Sequence, residues 1–322
     1  MARMVRPVLL IGSPVENFDA HALAARLGPQ FPGLELRASR DPASAIALAP
    51  GSGVMMGFGH DFSEAVLAAE PSVEWVQTLT AGTDALFNLK ALPAGARVTC
   101  MAGVQGPQMA EMAFLHMLTL VRRYPRMLDN QRAHRWERWP QAVLFGKTVV
   151  IVGVGGIATG LAKRCKAFDM EVIGVTSTPR AAEGFDRMMP RAELAEAAAL
   201  ADFLIVLVPL SPETRHLIDA PVLAAMKRSA FLVNIARGGV VDEQALLAAL
   251  KEGRLAGAGL DVFEVEPLPA ESPLWDAPGM VITGHVGGMS EIYNQQMVPV
   301  VERNLRCYVE GRWDDMVNVV RR

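Results

Sequence analysis

Hydrophobic positions in the first hundred residues form short β-branched runs, separated by longer alanine-rich stretches of mixed polarity. Runs of this kind are typical of buried strands, and the stretches between them have the length and composition of helices. Their alternation predicts a parallel sheet that is covered by helices on both faces. The strands predicted for this first α/β unit are residues 8–12, 34–38, 53–57, 74–79 and 98–101.

A longer stretch with apolar residues at helical spacing follows the fifth predicted strand. It predicts a helix over residues 106–124 that begins at a Gly-Pro pair and ends before Pro125, as helix start and stop signals require. We expect this helix to lie at a hinge or an interface. Its methionines and its histidine are interpreted as packing residues and not as a cofactor site: Met109, Met112, His116 and Met117.

A second series of short apolar runs then begins, again with helical stretches between them. It predicts a six-strand, doubly wound parallel sheet, followed by a last helix over about residues 290–311 that packs back on the first domain. We therefore predict a substrate-binding domain formed by residues 1–102 and 288–322, and a dinucleotide-binding domain formed by residues 103–287. The six predicted strands are residues 148–153, 171–175, 203–209, 231–235, 258–262 and 280–283.

Composition narrows the class of protein. A chain of 322 residues with 51% apolar residues is long and apolar enough for two globular domains. Its 31 basic and 34 acidic residues give a net charge of −3 without a basic run, so nucleic acid is not expected as a partner. The three cysteines have no metal-ligand spacing, which predicts reduced core thiols and no metal site: Cys100, Cys165 and Cys307.

The N-terminal apolar run covers only residues 8–11. Such a run is far shorter than the apolar region of a signal peptide or a membrane span. We therefore expect a cytoplasmic protein with no membrane partner.

The main chemical signal is the segment VVIVGVGGIATG at residues 149–160. Gly153 permits a tight turn, Gly155 lets the backbone approach a pyrophosphate, and the third position requires a small side chain, here Ala158. The pyrophosphate would accept hydrogen bonds from the free N–H groups at the start of the next helix. Glycine-rich turns also occur for steric reasons alone, but a strand before this one and a helix after it favour a dinucleotide site.

Another predicted strand ends about twenty residues later, where NAD-binding folds place an acidic residue that binds the ribose hydroxyls. This chain has Thr176 there. Without a carboxylate to repel a 2′-phosphate, and with Ser177, Thr178 and Arg180 able to bind one, the site favours NADP over NAD. The alternative, that Arg180 is only a solvated loop residue, stays open.

Six motifs occur in one order between Glu74 and His285: QTLTAGTDAL, GVGGIA, LVPLSPETRHLI, VNIARGGVVDEQAL, GLDVFEVEPLP and TGHVGG. Through them the chain resembles the D-isomer-specific 2-hydroxyacid dehydrogenase family. The resemblance implies two similar Rossmann-like α/β domains with the active site in the cleft between them. It also implies that the chain is an NAD(P)-dependent oxidoreductase, which reduces a small 2-keto acid to a D-2-hydroxy acid.

The resemblance assigns roles to particular residues. Arg237 matches the arginine that binds the substrate carboxylate and keto oxygen, His285 the general acid and base, and Glu266 the carboxylate that holds this imidazole. Backbone N–H groups of a loop in the first domain would grip the substrate carboxylate: Ala81, Gly82 and Thr83. The family usually has a valine where this chain has Thr83.

The cofactor site implied by the resemblance spans several strand ends. Asp261 matches the residue that receives the nicotinamide carboxamide, and Pro209 lies on the adenine side. The implied cofactor-binding residues are Gly153, Gly155, Gly156, Ile157, Ala158, Thr176, Ser177, Arg180, Pro209, Thr214, Ile235, Ala236, Asp261 and Gly287.

The chemistry of keto acid reduction requires the same residue types. A proton must reach the developing alkoxide, for which an imidazolium is suited, and a neighbouring carboxylate favours the charged imidazole. Taken singly, Glu266 is better interpreted as a solvated turn residue. Because His285, Glu266 and Arg237 all follow strand ends, where open α/β sheets bind ligands, the functional interpretation is favoured for the group.

The resemblance implies a reductase of glyoxylate, hydroxypyruvate or a bulkier keto acid. A nucleotide-sensing binding protein that retains the fold, like the family's transcriptional corepressors, is the alternative that the sequence leaves open. The helix over residues 106–124 and the segment with Trp136 and Trp139 are rich in apolar side chains. They predict a two-fold homodimer formed through the dinucleotide-binding domain.

Overall fold

The computed structural model describes residues 5–320, and its residue contacts group into two compact units. The first unit comprises Met1–Gln105 and Met289–Arg322, and the second comprises Gly106–Gly288. Each unit has its own parallel sheet and its own buried core.

The N-terminal part of the first unit alternates strands with short helices. Asp19, Asp41 and Ser63 cap three of these helices by accepting hydrogen bonds from backbone N–H groups of the first turn. In chain order the elements are β1 (Val8–Leu10), α1 (Ala20–Leu27), β2 (Leu36–Ala38), α2 (Pro42–Leu48), β3 (Val54–Gly57), α3 (Glu64–Ala68), β4 (Trp75–Thr78), α4 (Asp84–Phe87) and β5 (Arg97–Thr99).

The second unit begins with two helices and continues with alternating strands and helices. The helices are α5 (Gly106–Val121), α6 (Tyr124–Arg132), α7 (Gly156–Ala167), α8 (Leu194–Leu200), α9 (Ala220–Ala225) and α10 (Glu243–Lys251). The strands are β6 (Thr148–Val152), β7 (Glu171–Thr176), β8 (Arg187–Pro190), β9 (Phe203–Val206), β10 (Phe231–Asn234), β11 (Gly257–Leu260) and β12 (Met280–Ile282).

The predicted end of the helix at 124 is wrong. Helix α5 ends at Val121, and Arg123 takes a left-handed conformation with φ of 53°. Pro125 lies in the first turn of α6 and so begins a helix instead of ending one, because proline lacks only an N–H that is unpaired at that position anyway.

The chain returns to the first unit through α11 (Tyr293–Val309) and ends with β13 (Val319–Val320). The sheet of this unit has the order β13-β5-β4-β3-β1-β2, in which only β13 is antiparallel. Helix α11 packs within this unit, and the Tyr293 hydroxyl donates a hydrogen bond to the Leu79 carbonyl over 2.6 Å. The short strand β13 was not predicted.

The sheet of the second unit has the order β12-β11-β10-β9-β6-β7-β8, and all its strands are parallel. The six predicted strands are present, and the prediction of six was one too few because β8 forms the edge next to β7. The strand order changes direction between β6 and β9. Ligands of doubly wound sheets bind at the carboxyl ends of the strands beside such a point.

The cores follow from the alternation of side chains along the strands. In β6, Val150 and Val152 pack with α8, α9 and α10 on one face, and Val149 and Ile151 pack with α5 and α7 on the other. Such strands are apolar along their whole length because both faces are covered.

Helices α5 and α11 have 16 and 17 residues. A membrane-spanning helix requires about 20 predominantly apolar residues. Accordingly, within residues 5–320 we find no helix that is long and apolar enough to cross a membrane.

Candidate active site

The glycine-rich turn joins β6 to α7 and has the geometry of a dinucleotide site. Gly153 has a φ of 101°, and a Cβ there would lie 2.8 Å from the Val208 backbone nitrogen. Gly155 has open space where a side chain would be, so its backbone can be approached closely. Ala158 is buried in the core between α7 and the sheet. The turn therefore fits a pyrophosphate at the start of α7, next to Gly156 and Ile157.

Two further loops follow strands on either side of this turn. Thr176 ends β7 and is followed by the exposed Ser177, Thr178 and Arg180. After β9, the buried Thr214 hydroxyl donates to the Pro209 carbonyl over 2.6 Å and accepts from the Ser211 N–H over 2.7 Å. This hydroxyl therefore fixes the turn that presents Pro209.

His285 and Glu266 are brought together from two different loops. His285 lies just beyond β12 and Glu266 six residues beyond β11, yet His285 Nδ1 is 2.6 Å from Glu266 Oε2. The other carboxylate oxygen of Glu266 accepts the Phe263 N–H over 2.8 Å. Glu266 thus has one oxygen fixed by its own loop and presents the other to the imidazole.

The charge of Glu266 is set by opposing effects. Burial raises the pKa of this carboxyl group. The hydrogen bonds from His285 and from the Phe263 N–H, together with the nearby charges of His285 and Arg237, lower the pKa by more than burial raises it. The net result is a pKa of Glu266 below its ordinary value of 4.5. Glu266 is therefore ionised at neutral pH and favours a protonated imidazole beside it.

Asp261 also contacts the His285 loop. It directly follows β11 and is buried. Its carbonyl accepts the His285 N–H over 2.7 Å. Its carboxylate accepts the N–H groups of Val286 and Gly287 over 3.0 and 2.9 Å. Three consecutive backbone N–H groups around His285 are thus bonded to one aspartate.

Arg237 lies in the turn after β10, and its conformation depends on a residue that the sequence analysis missed. The Asn234 side chain donates to the Arg237 carbonyl over 2.9 Å and accepts the Ala236 N–H over 3.1 Å. Asn234 is buried, as is Ile235. A polar residue at the end of the apolar strand FLVN is the signal that could have identified it.

The turn after Arg237 packs against the loop that leads to Glu266. A Cβ on Gly238 would lie 1.8 Å from the Phe263 carbonyl carbon and 2.3 Å from the Glu264 backbone nitrogen. Only glycine fits this approach of two main chains. The loops with Arg237 and Glu266 are therefore in direct backbone contact.

The predicted carboxylate-binding loop lies in the first unit, between β4 and α4. The Thr80 hydroxyl donates to the Gly82 carbonyl over 2.7 Å, and the Thr80 carbonyl accepts the Met101 N–H over 2.9 Å. Between residues 5 and 320, the N–H groups of Ala81, Gly82 and Thr83 donate no hydrogen bond to the protein. The loop is therefore fixed while three of its N–H groups remain available to an anion.

Comparison with known proteins agrees with this geometry. Residues 114–287 match the model of the D-isomer specific 2-hydroxyacid dehydrogenase NAD binding domain. The glyoxylate/hydroxypyruvate reductase B of Pectobacterium carotovorum is 35% identical over 300 residues, which are 91% of this chain and 92% of that protein. The chain belongs to the D-isomer specific 2-hydroxyacid dehydrogenase family.

Solved structures of other family members extend the agreement to the whole fold. A family protein of Aeromonas salmonicida has a TM-score of 0.89, is 30% identical and covers 99% of both chains. The NADPH-dependent glyoxylate/hydroxypyruvate reductase of Sinorhizobium meliloti, solved with NADP and sulfate, has a TM-score of 0.84 at 28% identity, covering 98% of both. The chain is thus an NAD(P)-dependent 2-hydroxyacid dehydrogenase.

Proposed function

We propose that this dehydrogenase reduces a small 2-keto acid, such as glyoxylate or hydroxypyruvate, to a D-2-hydroxy acid with NADPH. The observation that supports this most is the contact between His285 and an ionised Glu266, in loops beside the Arg237 turn. All three residues follow the carboxyl ends of neighbouring parallel strands. The names of the relatives reported above favour the same substrates.

The residues after β6, β7, β9 and β10 would hold a nicotinamide cofactor, whose chemistry is the supply of a hydride to the keto carbon. The imidazolium of His285 donates a proton to the oxygen of that carbon as negative charge develops on it. Glu266 accepts the hydrogen bond from Nδ1, which leaves Nε2 with its proton toward the substrate and stabilises the charged ring.

The substrate carboxylate would be bound by a guanidinium and by backbone N–H groups. Arg237 offers a planar, permanently charged pair of donors that can contact both the carboxylate and the keto oxygen. In the first unit, the free N–H groups of the loop at residues 81–83 would suit a carboxylate as well. Neither contribution depends on pH in the neutral range, so the proton transfer at His285 would set the pH dependence.

The cofactor would be held by the residues after β6, β7, β9 and β10. Gly153 permits the tight turn and Gly155 leaves space for the pyrophosphate, while Pro209 would border the adenine side. Ile235, Ala236 and Gly287 would border the nicotinamide side, with the Asp261 carboxylate toward the carboxamide.

A substrate panel tests the proposed function. We expect turnover of glyoxylate or hydroxypyruvate with NADPH, followed by the loss of absorbance of the reduced nicotinamide, and a D-configured product where the product is chiral. Binding of NADPH without turnover of any 2-keto acid would contradict the proposal, and would favour the nucleotide-sensing alternative.

The predicted cofactor preference is tested by exchanging the residues after β7. We expect a higher kcat/KM with NADPH than with NADH, and a reversed order in the Thr176→Asp/Arg180→Ala double variant. The new carboxylate repels the 2′-phosphate while the guanidinium that binds it is lost. The two single variants separate these contributions. A tenfold preference of the wild type for NADH, equivalent to about 1.4 kcal/mol, would make Arg180 a surface charge only.

Glu266 is tested by a change that keeps its size. We expect Glu266→Gln to retain reduction at low pH, while the alkaline limb of the kcat profile moves to lower pH. The amide retains a hydrogen-bond acceptor but loses the negative charge that favours the imidazolium. The measurement is kcat against pH for both proteins. A profile of unchanged shape would assign Glu266 to packing alone.

The homodimer stays a prediction, and we expect its interface to lie on the second unit. There, large apolar side chains of α5 and of the segment before β6 are exposed: Leu115, Leu118, Trp136, Val143 and Phe145. We expect light scattering to give about twice the chain mass of 34.7 kDa, and the Leu115→Glu/Phe145→Glu variant to give a lower mass. Val15→Glu, at an exposed position of the first unit, is the control. A wild type with the mass of one chain would refute the prediction.

A further inference from the structure

The buried histidine of α5 reaches the loop that contains His285. His116 has no exposed surface, and its Nε2 lies 3.2 Å from Thr283 Oγ1. Thr283 Oγ1 in turn lies 2.5 Å from Asp261 Oδ1. A continuous row of polar groups therefore joins the helix to the aspartate that bonds the N–H groups around His285.

The direction of these hydrogen bonds follows from the groups themselves. A carboxylate can only accept, so the single hydroxyl proton of Thr283 is donated to Asp261. The hydroxyl oxygen must then accept at its contact with His116, and the proton of the neutral imidazole lies on Nε2.

The other ring nitrogen supports this assignment. His116 Nδ1 is buried and has no hydrogen-bond partner among the residues that the structure describes. It faces Gly259, where a Cβ would lie only 2.5 Å away. Burial lowers the pKa of His116 to about 4, against an opposing effect of the Asp261 charge. His116 is therefore a neutral donor at the pH of catalysis.

At its far end the row reaches the backbone of the loop that contains His285. His285 has a φ of 55°, a left-handed conformation that is uncommon outside glycine. The preceding residue, Gly284, has open space where a side chain would lie. The bonds to Asp261 restrain the backbone from His285 to Gly287, and Thr283 donates to the carboxylate that accepts two of them.

We propose that His116 and Thr283 are positioning residues, which orient the Asp261 carboxylate and thereby hold His285 against Glu266. This inference rests on the proposed role of His285. An apolar side chain would fill the same space among the core residues of α5 without the cost of burying an imidazole. The histidine is therefore explained by its hydrogen bond and not by its volume.

Thr283 is tested with a matched pair of variants. Thr283→Val removes the hydroxyl at nearly constant volume, and we expect kcat to fall roughly tenfold to a hundredfold, as for a misplaced catalytic group. The KM for the keto acid should change much less, because Arg237 is untouched. Thr283→Ser restores the hydroxyl and should restore most of kcat.

His116 is tested through its coupling to Thr283. His116→Leu removes the donor, and we expect a smaller fall in kcat, whereas His116→Gln keeps an N–H donor and should lose less activity. Because His116 acts through Thr283, the His116→Leu/Thr283→Val double variant should be no slower than Thr283→Val alone. Multiplied losses in the double variant would overturn the proposed row.

A core variant and a measurement without turnover complete the design. Leu120→Ala, one turn further along α5 and next to Gly257, lowers stability without touching the row and should leave kcat nearly unchanged. Hydrogen exchange of the free protein should be faster at residues 285–287 in Thr283→Val but not in Leu120→Ala.

The two measurements separate this inference from the proposed function. If the wild type reduces no keto acid, the proposed function fails, and exchange at residues 285–287 still decides the positioning role. Unchanged exchange in Thr283→Val, or an unchanged kcat in an active enzyme, would overturn the inference.

Discussion

His285→Ala is expected to lower kcat for keto acid reduction on the order of a hundredfold to ten-thousandfold, which is the range for loss of a general acid. The substitution removes the imidazole that contacts Glu266 over 2.6 Å, which is the group that we propose as the proton donor. Cofactor affinity should be nearly unchanged, since the glycine-rich turn after β6 is not altered. The measurements are steady-state kinetics and NADPH binding by fluorescence.

A second histidine–glutamate pair provides the matched control. His216 Nε2 lies 2.8 Å from Glu264 Oε1, but neither residue belongs to the group that we place in catalysis. His216→Ala should therefore retain close to the full kcat. If His285→Ala reduced keto acids at a near-normal rate, the proposed proton transfer would be wrong.

Arg237→Lys is expected to raise the KM for the keto acid and also to lower kcat. The charge is kept, but one ammonium cannot make the two parallel contacts of a guanidinium. Loss of a hydrogen bond to a charged group costs about 1.5–3 kcal/mol. We therefore expect kcat/KM to fall roughly tenfold to a hundredfold, at 1.4 kcal/mol for each factor of ten.

The control for this variant is Arg254→Lys. Arg254 forms an exposed ion pair with Glu252 after α10, and its replacement should leave kcat/KM unchanged. A rise in KM without any fall in kcat for Arg237→Lys would mean that the arginine binds the carboxylate but does not polarise the keto group.

The parts of the fold that follow from local pattern were predictable. The apolar runs of β6, β9 and β10 are buried on both faces and stand out against their surroundings. The tight turn at Gly153 was also predictable from the glycine-rich segment, and the structure gives Gly153 the positive φ that such a turn requires.

Other elements depend on tertiary partners and left little trace in the sequence. Strand β8 contains an arginine and a proline and is only partly buried, so it lacks an apolar run, and pairing with β7 alone defines it. Strand β13 has two residues, which no periodicity can identify.

The residues of the candidate site also differ in how far the sequence identified them. The residues that we propose as reactive could be named because each occurs in a distinctive motif, whereas the residues beside them left at most a weak signal, such as the polar Asn234 at the end of an apolar strand. Asn234 and Thr283 acquire their roles from groups that only the fold brings near, such as the Arg237 carbonyl and the Asp261 carboxylate. Pairing of His285 with Glu266 was implied by the family resemblance and not by their separation of nineteen residues.

The backbone contact at Gly238 has a consequence for altering this enzyme. Since the main chain at Phe263 leaves no room for a side chain at position 238, the turn that contains Arg237 and the loop that contains Glu266 form one frame with a shared backbone contact. A redesign for larger keto acids cannot move either loop independently. Changes in substrate scope must come from side chains that line the frame, and libraries that vary position 238 will mostly yield inactive protein.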